Sequence, residues 1–155
     1  MSKTRKAISY ALNIAIIFSV IIVSLNVLNQ LQLAFPVQGI SMLPAIQTGD
    51  LAIIQPGRLS SFHVGDIIVY WNNLDQEYVI HRIIQLNVMN GQTTAIVKGD
   101  DNPSPDPVVV TSNVTVGKVL FLIYFVGYLI ERPYNYLIAS ILIIALLLDY
   151  YVSRQ

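Results

Sequence analysis

The sequence has no charged side chain from residue 7 to residue 49, and this stretch constrains the fold more than any other feature. Within it, Ile8 to Leu33 is rich in isoleucine, valine and leucine. The segment exceeds the roughly 20 apolar residues that cross the hydrocarbon core of a bilayer. Its few polar side chains are compatible with a span, because a helix satisfies its own backbone hydrogen bonds. We therefore predict a transmembrane anchor at residues 7–33.

A cleaved signal peptide is the alternative for this segment. The apolar core of a signal peptide has about 7 to 15 residues and ends at a site of small residues. The segment here is longer, and it continues into Gln30, Gln32 and the pair Phe35-Pro36. Its length and its ending favour the retained anchor.

Three basic side chains precede the anchor, those of Lys3, Arg5 and Lys6. Positive residues beside a membrane helix favour the cytoplasmic side. We therefore expect residues 1–6 to be cytoplasmic, and the domain that follows the anchor to lie outside the cytoplasm.

The composition agrees with a membrane protein and argues against other classes. Hydrophobic residues make up 54% of the chain and charged residues 12%, whereas soluble domains carry roughly 25% charged residues. Basic and acidic residues number 9 each, so we expect no nucleic-acid partner. Because the chain has no cysteine, it cannot form a disulfide or a thiolate metal site. With only two histidines, His63 and His81, a metal site would depend on carboxylates. We expect neither a metal nor another cofactor.

Residues 34–122 differ from the anchor, because short apolar runs alternate there with turn signals. Runs rich in β-branched residues that are bounded by glycine, proline and asparagine are typical of strands. Asn90-Gly91 is a hairpin signal between two of the runs. The sequence therefore predicts an all-β domain at residues 34–122. The predicted strands are Leu51–Ile54, Ile67–Trp71, Tyr78–Ile84, Thr94–Val97, Val108–Val110 and Val116–Leu122.

After the β domain the sequence becomes apolar again. We assign residues 123–133 to a connector at the membrane interface, because Glu131-Arg132-Pro133 interrupts the apolar pattern. The uncharged run Tyr134 to Leu148 has tyrosines near its ends, which is typical of a membrane span. We predict a second transmembrane helix at residues 134–152 and a cytoplasmic tail at residues 153–155. A buried or interfacial helix is the alternative.

Ser41 is the candidate nucleophile, because it follows the anchor closely. From Phe35 to Ser41 the chain extends at most about 20 Å at ~3.3 Å per residue, so this hydroxyl stays near the membrane. A serine hydroxyl needs a neighbouring base, and histidine suits that role because it titrates near neutrality. A carboxylate can then fix the tautomer of the histidine. His81 lies in a predicted strand, and the segment Gly99–Asp106 supplies carboxylates.

Each of these residues also has an ordinary structural interpretation. His81 alternates with apolar neighbours and would then be a core residue. Asp100 and Asp101 would be turn residues, and Asp106 would be a solvated loop residue. His63, in a turn-like stretch, is the rival base. Spacing does not decide between these interpretations, because catalytic triads are recognised by geometry.

Four short motifs occur in the order of the conserved boxes of signal peptidase I. They are Ser41-Met-Leu-Pro44, Gly65-Asp-Ile-Ile-Val69, His81-Arg82 and Lys98-Gly-Asp-Asp-Asn102. The chain resembles the archaeal and endoplasmic-reticulum branch of that family, in which a histidine replaces the lysine base of most bacterial enzymes. The resemblance covers about residues 8–122.

The resemblance implies an all-β catalytic domain of the signal-peptidase type and a role for each motif. Ser41 matches the nucleophile and His81 the general base. Asp106 matches the second aspartate of the family, and we assign it as the triad acid. Asp100 matches the first aspartate and has a supporting role, and Arg82 has a structural one.

Two positions depart from the family pattern. Asp101 stands where the family often has asparagine, which leaves open whether Asp106 or Asp100 is the triad acid. Gly39 stands where many members carry a serine whose hydroxyl helps to form the oxyanion hole. The backbone N–H of Ser41 remains as one donor, and the sequence does not identify the second. The loss of one such donor costs about 2.7–4 kcal/mol in the transition state.

The resemblance also implies that strands of the domain pair with the substrate backbone, and that pockets select its side chains. Enzymes of this family prefer small residues at positions −1 and −3 of the cleavage site. By their position, Met42, Ile46 and Ile80 are the predicted pocket residues, and core packing is their ordinary role.

The resemblance thus predicts a membrane-bound serine endopeptidase that removes N-terminal signal peptides from exported preproteins. The predicted partners are signal peptides, the lipid bilayer and the export machinery. The predicted location is the cell membrane, or the endoplasmic-reticulum membrane in a eukaryote, with the catalytic domain on the extracytoplasmic side.

Two alternatives remain open. The first is a non-catalytic membrane subunit whose β domain binds nascent chains. The second is a serine–lysine peptidase that uses Lys98, as in self-cleaving repressors. The anchor argues against a repressor, and the His81-Arg82 pair argues against a lysine base.

Overall fold

The computed structural model describes residues 3–131 and 134–153. An antiparallel sheet of seven strands lies between two helices in the chain, α1 (Lys3–Gln30) and α2 (Tyr134–Ser153). The strands are β1 (Ala34–Pro36), β2 (Leu51–Pro56), β3 (Ile67–Asn72), β4 (Glu77–Met89), β5 (Gln92–Lys98), β6 (Val110–Thr111) and β7 (Thr115–Ile123). Two short 3-10 helices cover Leu59–Ser61 and Val126–Leu129, the second within the predicted connector.

Helix α1 is the one helix in the described ranges that is long and apolar enough to cross a membrane. The most apolar 18-residue stretch within its segment Ala7–Gln30 has a mean hydropathy of 2.5 and is almost entirely exposed. The hydroxyls of Ser19 and Ser24 donate to the carbonyls four residues earlier, at 2.8 Å each. These side chains therefore cost little in lipid, because their polar groups are satisfied within the helix.

Helix α2 lies where the second membrane helix is predicted, and it packs against α1. Its apolar part, Tyr134–Leu148, is shorter than α1, so a membrane crossing by α2 stays a prediction. Residues 1–2, 132–133 and 154–155 lie outside the described structure, as do the side chains of residues 3–6, 149, 152 and 153.

The sheet has the order β1-β2-β7-β3-β4-β5-β6, and every neighbouring pair is antiparallel. The prediction of an all-β domain after an apolar helix is confirmed. Each predicted run lies within or overlaps a strand, and only the short β1 was not predicted. Strand β4 continues beyond its predicted end to the hairpin turn, where Asn90 and Gly91 have φ angles of 51° and 76°. Positive φ at both residues is the requirement of the type I′ hairpin turn.

The core lies on both faces of the sheet, because successive side chains of a strand point to opposite faces. In β3, Ile68 and Tyr70 belong to one cluster, whereas Val69 belongs to the other. All three side chains are fully buried. Strand β3 is therefore covered on both faces, which makes it a rigid support for its neighbour β4.

A third cluster joins helix α1 to the sheet. Leu25 and Leu28 of the helix pack against Ala34 and Leu51 of the first two strands. The Asn29 side chain also donates a hydrogen bond of 2.8 Å to the Ala34 carbonyl. The end of the predicted anchor is thus fixed to the domain a few residues before Ser41.

Candidate active site

Ser41 lies on the loop between β1 and β2, and the ends of this loop are held together. The Val37 N–H donates to the Asp50 carbonyl at 2.9 Å, and the Gly49 N–H donates to the Val37 carbonyl at the same distance. The Asp50 carboxylate is fully buried, and it accepts the N–H groups of Gln47 at 3.1 Å and Phe125 at 3.3 Å. Sequence reasoning did not identify Asp50, which braces the base of the loop from inside.

His81 brings an imidazole from β4 to the Ser41 hydroxyl. Its Nε2 lies 3.0 Å from Ser41 Oγ, and the residue is buried, with 7% of its surface exposed. His81 is directly opposite Ile68 of β3 in the register of the sheet. Because opposite residues share a face, the imidazole stands on the face that carries the core cluster of Ile68, where its orientation is restricted.

Asp106 completes a continuous series of contacts. Its Oδ2 lies 2.5 Å from His81 Nδ1, and both side chains are 9% exposed. The Asp106 N–H donates to the Val97 carbonyl at 2.9 Å, which ties this part of the loop to the end of β5. The structure therefore brings Ser41, His81 and Asp106 together in the arrangement of a serine–histidine–aspartate triad.

Tyr70 is a fourth member of this group that sequence reasoning missed. Its hydroxyl donates to Asp106 Oδ2 at 2.5 Å, and its side chain is fully buried. Burial raises the pKa of the phenol well above its ordinary value of 10.0, and the adjacent carboxylate raises it further. The phenol is therefore protonated and donates its proton. In the sequence, Tyr70 is one more large residue of an apolar strand, and nothing marks it as polar in function.

Asp100 lies outside this group and pairs with Arg82. The guanidinium is bidentate, with Nε 2.8 Å from Asp100 Oδ1 and Nη2 2.6 Å from Oδ2. The hydrogen bonds from Arg82 hold the pKa of Asp100 below its ordinary 3.8, against the opposing effect of burial. Arg82 Nη1 also donates to the Gly65 carbonyl at 2.9 Å. The pair thus joins the acidic loop to β4 and to the turn before β3.

The acidic loop also touches the backbone of Ser41. The Asp101 N–H donates to the Ser41 carbonyl at 2.8 Å, while the Asp101 side chain is exposed. A Cβ atom at Gly99 would lie 2.6 Å from the same carbonyl, so only glycine fits there without a shift. Gly99 and the backbone of Asp101 therefore set the distance between the two loops.

The two rival bases lie in different surroundings. The His63 side chain is 84% exposed and lies 3.9 Å from Asp66, its neighbour in a turn. Within residues 3–131 and 134–153, Lys98 makes no hydrogen bond with Ser41, whose hydroxyl contacts His81. The structure therefore brings only one of the three candidate bases to the serine.

Gly39, the position that departs from the family pattern, has a φ of +93°. A Cβ atom there would meet nothing within 4 Å, so backbone conformation and not space favours glycine. The Ser41 N–H makes no hydrogen bond in the described part of the chain, and it is free to serve as an oxyanion donor.

An open groove of about 1090 Å³ runs past Ser41 and His81. Its walls include Phe35 and Pro36 of β1 and the first half of β4, from Glu77 to His81. Among the predicted pocket residues, Met42 and Ile80 line the groove. Ile46 does not line the groove; its side chain is 1% exposed and packs behind it in the core cluster that also contains Met42.

Two comparisons with known proteins identify the family of this chain. Residues 18–119 match a family model described as peptidase S24-like. The signal peptidase complex catalytic subunit sec11 of Neurospora crassa is 33% identical to this chain over 106 residues, which cover 61% of the chain and 62% of that protein. The chain therefore matches somewhat less than two thirds of the length of this relative. Both matches confirm the resemblance that the four motifs predict.

Proposed function

Because this chain belongs to the peptidase S24-like family, we propose that it is a membrane-anchored serine endopeptidase that removes N-terminal signal peptides from exported preproteins. The observation that carries the proposal is the contact series from Ser41 Oγ through the His81 ring to Asp106. The relative named above is a catalytic subunit of a signal peptidase complex, which supports the same substrate class and a similar complex as partner.

The chemistry follows from the two ring nitrogens of His81. Nε2 accepts the Ser41 proton as Oγ attacks the scissile carbonyl, and it then gives that proton to the leaving amine. A water molecule, activated by the same nitrogen, releases the acyl group from Ser41. Asp106 accepts the hydrogen bond from Nδ1, which keeps Nε2 available as the base and stabilises the imidazolium. The Ser41 N–H supplies one donor to the oxyanion.

The groove suits an extended peptide. In the described part of the chain, β1 pairs only with β2, and the first half of β4 pairs only with β3. Both strands therefore present free backbone groups to the groove, and an extended substrate can add to such an edge. We assign the selection of small residues at positions −1 and −3 to Met42 and Ile80, because both line the groove beside Ser41.

The position of Ser41 supports a substrate that leaves a membrane. Helix α1 is joined to the sheet just before the loop of Ser41, so the nucleophile stays close to the end of the anchor. We place the protein in the cell membrane or the endoplasmic-reticulum membrane, with its β domain on the extracytoplasmic side. In oriented vesicles, protease should reach the hairpin around Asn90 from the extracytoplasmic side. Cleavage only from the cytoplasmic side would contradict this topology.

The proposal is tested by incubating the purified protein in lipid nanodiscs with a preprotein and determining product masses. The wild type should release the mature protein at one bond, and a bulky residue at −1 of the preprotein should block cleavage. Ser41→Ala should give no product, whereas Ser60→Ala, a change at an exposed serine elsewhere, should cleave normally. Turnover by Ser41→Ala, or a folded wild type that binds preprotein without cleaving it, would overturn the proposal. The latter result would favour a non-catalytic subunit.

A further inference from the structure

Asp106 Oδ2 has two partners. His81 Nδ1 and the Tyr70 hydroxyl both lie 2.5 Å from it. Serine–histidine–aspartate chemistry requires only the contact with histidine, so the phenol is an additional donor to the same oxygen. Its position is specific, because the side chain is fully buried and its polar atom is aimed at the carboxylate.

The sheet accounts for this position. Tyr70 is opposite Val79, and Ile68 is opposite His81, in the antiparallel register of β3 and β4. Tyr70 and His81 are therefore diagonal neighbours on one face, at a separation that aromatic side chains can span. The loop that carries Asp106 crosses this face, tied to Val97 by its backbone. Two strands thus direct two side chains onto a single carboxylate.

We propose that Tyr70 is a positioning residue of the active site. Its phenol holds the Asp106 carboxylate toward His81, and it also weakens the attraction of that carboxylate for a proton on the imidazole. This inference rests on the proposed function of the site. A carboxylate held by the imidazole alone can rotate about its terminal torsion, whereas two donors from different directions fix it. A hydrogen bond to the charged form also makes a carboxylate a weaker base.

Loss of the Tyr70 hydroxyl should shift the pH dependence of cleavage in one direction. Removing the phenol hydroxyl leaves Asp106 with a more concentrated charge, so the imidazolium of His81 becomes more stable. The neutral imidazole that accepts the Ser41 proton then forms only at higher pH. Other ionisable groups surround the site, and the substitution leaves all of them in place. They are Asp75, Glu77, Tyr78, Arg82, Lys98, Asp100 and Asp101.

The experiment compares wild type, Tyr70→Phe and Tyr128→Phe. Tyr128 is the matched control, because its hydroxyl also makes one hydrogen bond, at 3.2 Å to the Thr48 carbonyl, away from the groove. Preprotein cleavage is measured against pH. The protonation midpoint of His81 is followed in parallel by ¹⁵N NMR of the imidazole, with His63→Gln to assign the two histidines.

For Tyr70→Phe we expect kcat to fall about 3- to 10-fold, as for the loss of one ordinary hydrogen bond, with KM unchanged. The acid limb of the rate profile and the NMR midpoint should both move upward by about 0.5 pH unit. Tyr128→Phe should leave kcat and both pH readouts at wild-type values. A purely structural role for Tyr70 would lower the unfolding temperature while leaving both pH readouts unchanged, and that result would overturn the inference.

A second substitution should move the protonation midpoint of His81 in the opposite direction. 3-Fluorotyrosine incorporated at position 70 keeps the shape of the side chain but donates a stronger hydrogen bond, so the NMR midpoint should move downward. If Tyr70→Phe does not fold, this variant still tests whether the Tyr70 hydroxyl affects the protonation of His81. An unchanged or raised midpoint would contradict the inference. Because the NMR midpoint needs no turnover, the inference can fail while Ser41-dependent cleavage holds, and the reverse.

Discussion

Asp100 and Asp106 lie on the same loop, yet their carboxylates have opposite surroundings. Asp106 is 9% exposed, and its contacts are an imidazole and a phenol, neither of which is permanently charged. Asp100 is 20% exposed and is paired with the permanent charge of Arg82. The negative charge of Asp100 is therefore already compensated by Arg82, whereas in the proposed mechanism that of Asp106 is available to the imidazolium of His81.

In the proposed mechanism, the part of the loop around Asp100 stabilises the fold and the part around Asp106 takes part in the chemistry. The Arg82 guanidinium is held by Asp100 and by the Gly65 carbonyl, which fixes the start of the loop. The N–H of Asp106 fixes its end to Val97. Substitutions on the Asp106 side should therefore change turnover, and substitutions on the Asp100 side should change stability.

The largest fall in kcat is expected from removing the imidazole of His81, which Asp106 faces. His81→Ala should lower kcat about 10⁶-fold, the loss seen when one member of a cooperating triad is removed, with the fold retained. The measurement is single-turnover cleavage of a preprotein, together with circular dichroism. Lys98→Met and His63→Ala are the controls and should keep most of the activity. An equal loss in folded Lys98→Met would replace the histidine mechanism with a lysine one.

Asp106→Asn should have the next largest effect, with kcat lower by about 10⁴-fold because an amide favours the wrong tautomer of the imidazole. The protein should fold normally, since the new side chain has nearly the same shape and the backbone hydrogen bond to Val97 is unaffected. Kinetics and a denaturant midpoint check both parts. Near-normal turnover in a folded variant would shift the role to Asp100.

Asp100→Asn should instead lower the free energy of unfolding. The pair with Arg82 is bidentate but partly exposed, so its loss should cost about 1–2 kcal/mol, between the values for surface and buried pairs. We expect kcat to change less than about tenfold, because Asp100 does not touch His81 or Ser41. Denaturant unfolding in micelles measures the first quantity. A large fall in kcat at unchanged stability would contradict the division of roles.

The pH dependence of stability gives a further test of the structural role of Asp100. The hydrogen bonds and charge of Arg82 give Asp100 a lower pKa in the folded protein than its ordinary 3.8, despite the opposing effect of burial. Its contribution to stability is therefore complete above pH 3.8 and is lost as the pH falls through the folded value. The stability difference between wild type and Asp100→Asn should be constant from about pH 5 to 7 and should shrink under stronger acid. A difference that grows on acidification would be inconsistent with this pair.

The smallest change in stability and kcat is expected from substitution of Asp101. Its contact with Ser41 is made by the backbone N–H, and its side chain is exposed. Asp101→Asn should change unfolding free energy by less than about 0.5 kcal/mol and leave kcat within about twofold. Parallel assays with Asp100→Asn and Asp106→Asn provide the scale. A strong loss of activity would mean that this carboxylate acts on the substrate.

The sequence was sufficient for the features that depend on long or regular patterns. Helix α1 follows from an uncharged apolar run, and the β4–β5 hairpin follows from Asn90-Gly91. Strand β1 was missed because three residues, Ala34–Pro36, carry no periodic signal next to an apolar segment.

The site was predictable only in part, because side-chain direction depends on register and loop path. The motifs nominated Ser41 and His81, which lie in contact. The resemblance assigned Asp106 as the triad acid but left Asp100 open, and it is the path of the loop that places Asp106 against the imidazole. Tyr70 could not be identified, since only the pairing of β3 with β4 places its hydroxyl near a carboxylate.

Covalent labelling with a fluorophosphonate tests the central claim most directly, because it reports the activated nucleophile without the need for a correct preprotein. The site of the adduct is located by peptide mass mapping in wild type, His81→Ala, Asp106→Asn and Asp100→Asn. We predict one adduct, on Ser41, that forms more slowly by orders of magnitude in His81→Ala and Asp106→Asn and at near wild-type rate in Asp100→Asn. An adduct on another residue, in a protein whose Ser41→Ala variant still cleaves preprotein, would contradict the account.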